Sequence, residues 1–184
     1  ILSLFVMLPI LAAAQKSYTL TATISDLQSP AIAYLSYGQG DKAFKDSVEI
    51  KNGKFSFKGS VEEPIQAFLT VKHSTPSKGS QSDYFPFFIE NSKMTITATD
   101  SIKNAVIKGS VAEKESREIE ALIRPLTTII IKLNNEFAGK PKDEAWKKAS
   151  DSVANLVVQI RSTRMKYIAS HPTSYMALYH YNIY

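Results

Sequence analysis

The chain has 184 residues, of which 44% are hydrophobic and 21% are charged, a composition typical of a globular protein. Its 22 basic and 17 acidic residues give a formal net charge of +5, but the lysines are scattered among acidic residues. Because no basic stripe with interleaved aromatic side chains is formed, this charge argues against nucleic acid or a membrane surface as a partner. No cysteine is present, so the chain has neither a disulfide nor a thiol.

The first residues are typical of a secretory signal peptide. Residues 1–14 form an uncharged apolar run, and Ala12 and Ala14 supply the small side chains that signal peptidase needs before a cut at Gln15. The run is shorter than the about 20 residues of a membrane-spanning helix. No cysteine follows the cut to carry a lipid, so we expect a soluble periplasmic or cell-envelope protein without a membrane anchor. The lack of an initiator methionine and of basic leader residues leads us to expect a truncated start.

From residue 17 to about residue 108, short segments alternate between apolar and polar residues, as half-buried strands do. Asn52-Gly53 favours a type I′ hairpin because both residues tolerate positive φ, and Phe55 and Phe57 then share one face. Pro86 cannot donate to a strand ladder, which predicts a sheet edge or a bulge. A polar surface loop is expected between residues 73 and 83. The predicted strands cover residues 18–24, 32–37, 45–50, 54–58, 65–71, 84–90, 94–98 and 105–107.

Short strands at this spacing predict an antiparallel β-sandwich or open barrel of about seven to eight strands over residues 15–109. Beyond Gly109 the apolar residues recur at threes and fours, which predicts two to three helices over residues 110–184. The expected fold class is therefore α+β, with a β-rich domain followed by an α-helical extension.

Helix boundaries are predicted from capping residues and prolines. Ser110 and Glu113 match a capping box, in which the serine accepts from a first-turn amide and the glutamate reaches back. Pro125 is expected to kink or split the first helix. The second helix is predicted from about Asp143 to residue 170, and Pro172 is expected to start the third.

No catalytic, cofactor-binding or metal-ligating residue can be nominated. His73, His171 and His180 are far apart and differently placed, which favours surface or capping roles. Glu62 and Glu63 are adjacent, so on a strand they would point to opposite faces and could not act as a pair. No G-x-S-x-G elbow, P-loop, dinucleotide fingerprint, Cys-x-x-Cys pair or EF-hand loop occurs.

One segment is densely aromatic and could form an interaction surface, although such clusters more often belong to a hydrophobic core. The candidate residues of this segment are Tyr84, Phe85, Phe87 and Phe88.

The order of these features resembles a known bacterial domain. The matching pieces are residues 18–24, 32–37, 46–48, 52–59, 61–64, 88–90, 94–97 and 105–110. Together they are similar to domain of unknown function 4369, an N-terminal domain of exported proteins that usually precedes a thioredoxin-like domain. Residues 171–179 and the helices before them resemble the connector between the two domains.

The resemblance implies an exported thiol-disulfide oxidoreductase whose chemistry belongs to a Cys-x-x-Cys pair with a thiolate of lowered pKa. No position here matches that pair, so no catalytic residue carries over, and the chain as it stands is expected not to be an enzyme and to need no cofactor. The expected role is a non-catalytic accessory domain whose partners are a C-terminal thioredoxin-like domain and exported protein substrates. The alternative is a stand-alone exported β-sandwich module with a binding or structural role, which uses the face near Tyr84 to Phe88 for a glycan or a protein partner.

Overall fold

A computed structural model of the chain describes residues 16–27, 30–73 and 83–183. The predicted cleavage residues Ala12, Ala14 and Gln15 lie outside this part, as do residues 74–82 of the predicted polar loop. Within it, eight strands form two sheets and three helices follow, so the predicted fold class is confirmed.

The elements lie close to their predicted positions. The strands are β1 (Tyr18–Ile24), β2 (Ala31–Tyr37), β3 (Phe44–Glu49), β4 (Lys54–Gly59), β5 (Ile65–His73), β6 (Asp83–Ile89), β7 (Lys93–Ala98) and β8 (Val106–Lys108). The helices are α1 (Val111–Phe137), α2 (Glu144–Ser170) and α3 (Tyr175–Ile183).

The two sheets face each other across one hydrophobic core. The first sheet has the strand order β4-β1-β7-β8 and the second has the order β3-β2-β5-β6. Neighbouring strands are antiparallel except β1 and β7, which run parallel, so one pairing departs from the predicted antiparallel arrangement. A parallel pair needs a long crossover connection, and here the chain between β1 and β7 passes through the second sheet. Both sheets supply fully buried core residues, among them Leu20, Leu35, Leu69 and Ile96.

The predicted Asn52-Gly53 turn forms, but the long hairpin expected around it does not. Both residues have positive φ, 51° and 70°, and Lys51 pairs with Lys54 in an isolated bridge. Beyond that bridge, β3 joins the second sheet and β4 joins the first. Pairing of β4 with β1 places both phenyl rings of β4 in the core, so burial decides the partner and the turn carries the chain between sheets.

Long helices follow the sandwich. α1 is continuous through Pro125 and is therefore not split there. α2 begins where predicted, and Asp143 caps it, its carboxylate accepting from the Trp146 amide at 2.9 Å. None of the described helices is both long and apolar enough to cross a membrane.

α3 starts later than predicted. Its first residue is Tyr175, and Pro172 lies in the preceding turn. The Ser174 hydroxyl accepts from the Ala177 amide at 3.0 Å, so a capping serine sets this boundary in place of the proline.

Candidate functional site

The four predicted aromatic residues of β6 point in different directions. Phe85 and Phe87 face the sandwich core and are almost fully buried. Phe88 is also buried, but against the helices. Tyr84 has 51% of its surface exposed, so it alone of the four is open to solvent.

Other apolar side chains surround Tyr84 on the outer face of the second sheet. Tyr34 lies opposite Thr70, and Thr70 lies opposite Tyr84, so the three form a row across β2, β5 and β6. Phe68, 40% exposed, belongs to the next row, and Ile32, 41% exposed, lies beyond Tyr34. We refer to Ile32, Tyr34, Phe68 and Tyr84 as the aromatic face.

The aromatic face has a shallow depression at one end, about 490 Å³ in volume. Ile32 and Tyr34 are among its lining residues, and Glu49 and Lys72, which also line it, lie beside Ile32 on the two neighbouring strands. Single exposed apolar residues are common, whereas a contiguous patch with a polar rim marks an interaction site. This face can therefore hold a ligand that combines apolar groups with hydrogen-bonding groups.

The helices close the other end of the aromatic face. Phe88 lies on the same side of β6 as Tyr84, since alternate residues of a strand share a face. Its ring packs with Ala112, Ile119 and other buried residues of the helices, and it meets the Tyr179 ring edge-on at 5.2 Å between centroids. A ligand on the face would thus meet the helices at one end and solvent at the other.

The start of α1 is bound to the edge of β6. The Ser110 hydroxyl accepts from the Glu113 amide at 2.9 Å, as the capping box predicts. The Glu113 carboxylate does not return to Ser110; it accepts from the Phe88 amide at 2.8 Å, while the Ser110 hydroxyl donates to the Phe88 carbonyl at 3.2 Å. We call Ser110, Glu113 and Phe88 the junction.

The hydrogen bond from the Phe88 amide to Glu113 also explains why β6 can contain Pro86. β6 is an edge strand, as predicted, and the Phe88 amide points away from β5 toward Glu113. Backbone groups two residues apart point the same way, so the Pro86 nitrogen also faces the open edge, where no ladder bond is lost.

Glu113 is a buried carboxylate, with 5% of its surface exposed. Burial raises its pKa above the usual value, and the Phe88 amide and the Arg117 guanidinium, whose Nε lies 2.5 Å away, offset part of that rise. Glu90 adds a second carboxylate, which accepts from the Val111 amide at 2.6 Å and so caps the positive end of the helix. The junction is a structural connection between sandwich and helices.

The histidines are separated in the fold as well. His171 ends α2, with its Nδ1 atom 3.0 Å from the Tyr167 carbonyl oxygen, a capping position. His180 lies on α3, and the side chain of His73 is outside the described part. In that part no three His, Asp or Glu side chains gather as a metal site.

The sequence pattern did not single out Tyr34 or Phe68. A usable signal exists, because β2 and β5 carry apolar residues in both phases of the strand alternation. Such strands are either covered on both faces or leave an apolar patch open.

Comparison with known proteins identifies the domain. The family described as "Domain of unknown function (DUF4369)" matches residues 18–115, more than half of the chain and including the whole junction. Its description names no activity. No curated protein and no solved structure matches. The chain belongs to the DUF4369 family.

Proposed function

We propose that this chain is the non-catalytic binding domain of an exported thioredoxin-like thiol-disulfide oxidoreductase. The aromatic face is the observation that supports a binding role. The chain has no cysteine, so it cannot exchange disulfides itself. Its part is to hold an unfolded protein substrate while a separate redox domain reacts with it.

The aromatic face suits an extended polypeptide. Tyr34 and Tyr84 are two strands apart, about 10 Å, so a chain lying across the sheet contacts both. Aromatic rings offer large contact areas with few rotatable bonds, which lowers the entropic cost of binding. The charges of Glu49 and Lys72 at the rim favour a polypeptide with mixed polar and apolar groups.

The contribution of one ring to the binding free energy can be estimated from its exposed surface. Phe68 exposes 40% of its surface, about 80 Å² for a phenylalanine. At about 25 cal/mol per Å², complete burial of that surface contributes about 2 kcal/mol. Loss of the ring is therefore expected to weaken binding by about tenfold to thirtyfold.

A binding assay tests this role. The probe is a reduced and carboxymethylated polypeptide, which is unfolded and has no free thiol, and its anisotropy is followed on titration with the chain. Phe68→Thr and Tyr84→Thr should each weaken binding by about tenfold. Leu122→Thr is the control, because Leu122 is 54% exposed on α1 and outside the aromatic face. Equal losses in all three variants would contradict a specific role for this face.

The oxidoreductase and export parts of the proposal rest on the resemblance and on the apolar leader. Two measurements test them separately. Coding sequence beyond Tyr184 should include a Cys-x-x-Cys pair, and a stop codon there contradicts the redox assignment while leaving the binding role open. N-terminal sequencing of the protein from the cell envelope should begin at Gln15; retention of the leader in the cytoplasm contradicts export.

A stand-alone glycan-binding module is the second candidate. Hydroxyl groups of Ser36, Ser47 and Thr70 lie among the rings of the outer face, and sugars bind to aromatic rings flanked by such groups. Soluble glycans replace the polypeptide in the same titration. Binding of a glycan without binding of the polypeptide would favour this candidate.

A further inference from the structure

A second cavity lies between the three helices, away from the aromatic face. Its volume is about 730 Å³, within the range of small-molecule sites. We call it the helical cleft. Its lining residues are Thr127 of α1, Val157, Ile160, Arg161, Arg164, Met165 and Ile168 of α2, and His180 and Tyr181 of α3.

The lining combines an apolar wall with positive charge. Four aliphatic side chains and the Tyr181 ring supply the apolar part, and Val157 is more than half exposed toward solvent. Two guanidinium groups, of Arg161 and Arg164, lie in the same lining, which includes no acidic residue. The cleft is therefore complementary to a ligand with an apolar body and an anionic end.

We propose that the helical cleft binds an anionic amphiphile, a single acyl chain with a carboxylate or phosphate head group. Arginine forks bind carboxylates and phosphates through two parallel hydrogen bonds. Apolar walls along α2 receive the chain, whose burial supplies the remaining affinity.

Arg161 is the principal candidate for the head group. It is exposed at the cleft, and no ion pair to it exists among the residues that the structure describes. Arg164 already has a contact within the protein and adds mainly to the positive potential. Burial and the nearby Arg164 lower the pKa of His180, so its imidazole is neutral at pH 7 and the arginines supply the charge.

Calorimetric titration of the whole chain tests the proposal. Dodecanoate, kept below its micelle concentration, is the probe, and 1-dodecanol is the neutral analogue of equal chain length. We expect one dodecanoate per chain, bound at least tenfold more tightly than dodecanol. Each methylene removed from the acid should weaken binding by about fourfold.

Paired variants locate the site. Arg161→Gln should weaken dodecanoate binding by about tenfold, the effect of one lost charged hydrogen-bond pair. Arg124→Gln is the matched control, because Arg124 lies on α1, pairs with Glu120 and does not line the cleft. Circular dichroism of both variants checks that the helices persist.

Three results would overturn the proposal. They are equal affinity for the acid and the alcohol, equal losses in the two arginine variants, and binding of an acidic helical peptide in place of dodecanoate. The proposal does not depend on the aromatic face, so failure of either site leaves the other standing. A dodecanoate titration of the Phe68→Thr variant should match that of the original chain.

Discussion

Removal of the Ser110 hydroxyl should loosen α1 from the sandwich. In the Ser110→Ala variant, the Glu113 amide loses its cap and the Phe88 carbonyl loses its donor. Both bonds are buried, since Ser110 has 7% of its surface exposed. Because the site is buried, we expect solvent water not to take the place of the lost hydroxyl.

The expected loss is the sum of two effects. Replacement of a capping serine by alanine costs about 1 kcal/mol. Loss of a second buried hydrogen bond costs about another 1 kcal/mol. A total of about 2 kcal/mol should lower the melting temperature by about 4–8 °C for a chain of this size.

Asp143→Ala supplies the matched control. Asp143 also caps a long helix, but it is exposed, and its carboxylate has only the Trp146 amide as a capping partner among the described residues. We therefore expect a loss of about 1 kcal/mol, half that of Ser110→Ala. The comparison separates the general cost of a missing cap from the cost of a broken junction.

Urea unfolding followed by far-ultraviolet circular dichroism measures both losses, and equal slopes of the two transitions validate the comparison. Hydrogen exchange adds a local measurement, because the Glu113 amide should exchange faster in Ser110→Ala and be unchanged in Asp143→Ala. Equal losses of stability in the two variants, or an unchanged Glu113 amide, would refute the cooperative role given to the junction.

Two further predictions concern Glu113 and the glycine turns. Burial raises the pKa of Glu113 above 4.5, so the protonated carboxyl group is favoured in the folded state. The contribution of Glu113 to folding stability is therefore present at lower pH and is lost as pH rises through the folded-state pKa. The stability of the original chain relative to Glu113→Gln should therefore fall as pH rises above 4.5 and through the folded-state pKa, which urea titrations at a series of pH values measure; a rise would mean that Arg117 and the Phe88 amide outweigh burial. Gly53 and Gly139 share positive φ, 70° and 71°, but an added Cβ meets the Ile24 carbonyl only at Gly53. Thermal melts should show a loss of about 1–2 kcal/mol for Gly139→Ala and a larger one for Gly53→Ala; equal losses would contradict the steric argument.

Local patterns predicted most of the elements but not their partners. Alternating residues located the strands, and the capping box located the start of α1. The Asn52-Gly53 turn formed as predicted because its chemistry is local. Its flanking strands separated because the choice of partner depends on which side chains reach a common core, and that information is spread over the whole chain.

Glu113 shows the same limit within a single motif. Three residues of spacing predict that it reaches back to the amide of Ser110. In the fold its carboxylate bonds to Phe88, 25 positions earlier in the chain. The capping-box motif predicts that the glutamate carboxylate accepts a hydrogen bond from a backbone amide. It does not predict which amide donates when the open edge of a sheet lies close to the start of the helix.

The candidate site was predictable only in part. Tyr84 belongs to the predicted aromatic segment, whereas Tyr34 and Phe68 come from strands that pair over long sequence distances. These three side chains come together only because of the register in which β2, β5 and β6 pair. A shift of a strand by one residue would exchange its inward-facing and outward-facing side chains. Phe88 is buried in a cluster with side chains of the three helices, a tertiary effect that strand alternation cannot show.

Successive side chains of β6 point to opposite faces of the sheet, so the residues that form the core differ from those proposed to bind a ligand. Phe85, Phe87 and Ile89 pack in the core, and the register with β5 holds them there. Tyr84 and Phe68 point outward from the same pairing and keep large exposed surfaces. Exposed positions on a sheet accept threonine with little loss of stability, because its branched side chain suits a strand. Weaker ligand binding in Phe68→Thr or Tyr84→Thr would therefore report on the aromatic face and not on unfolding of the sandwich.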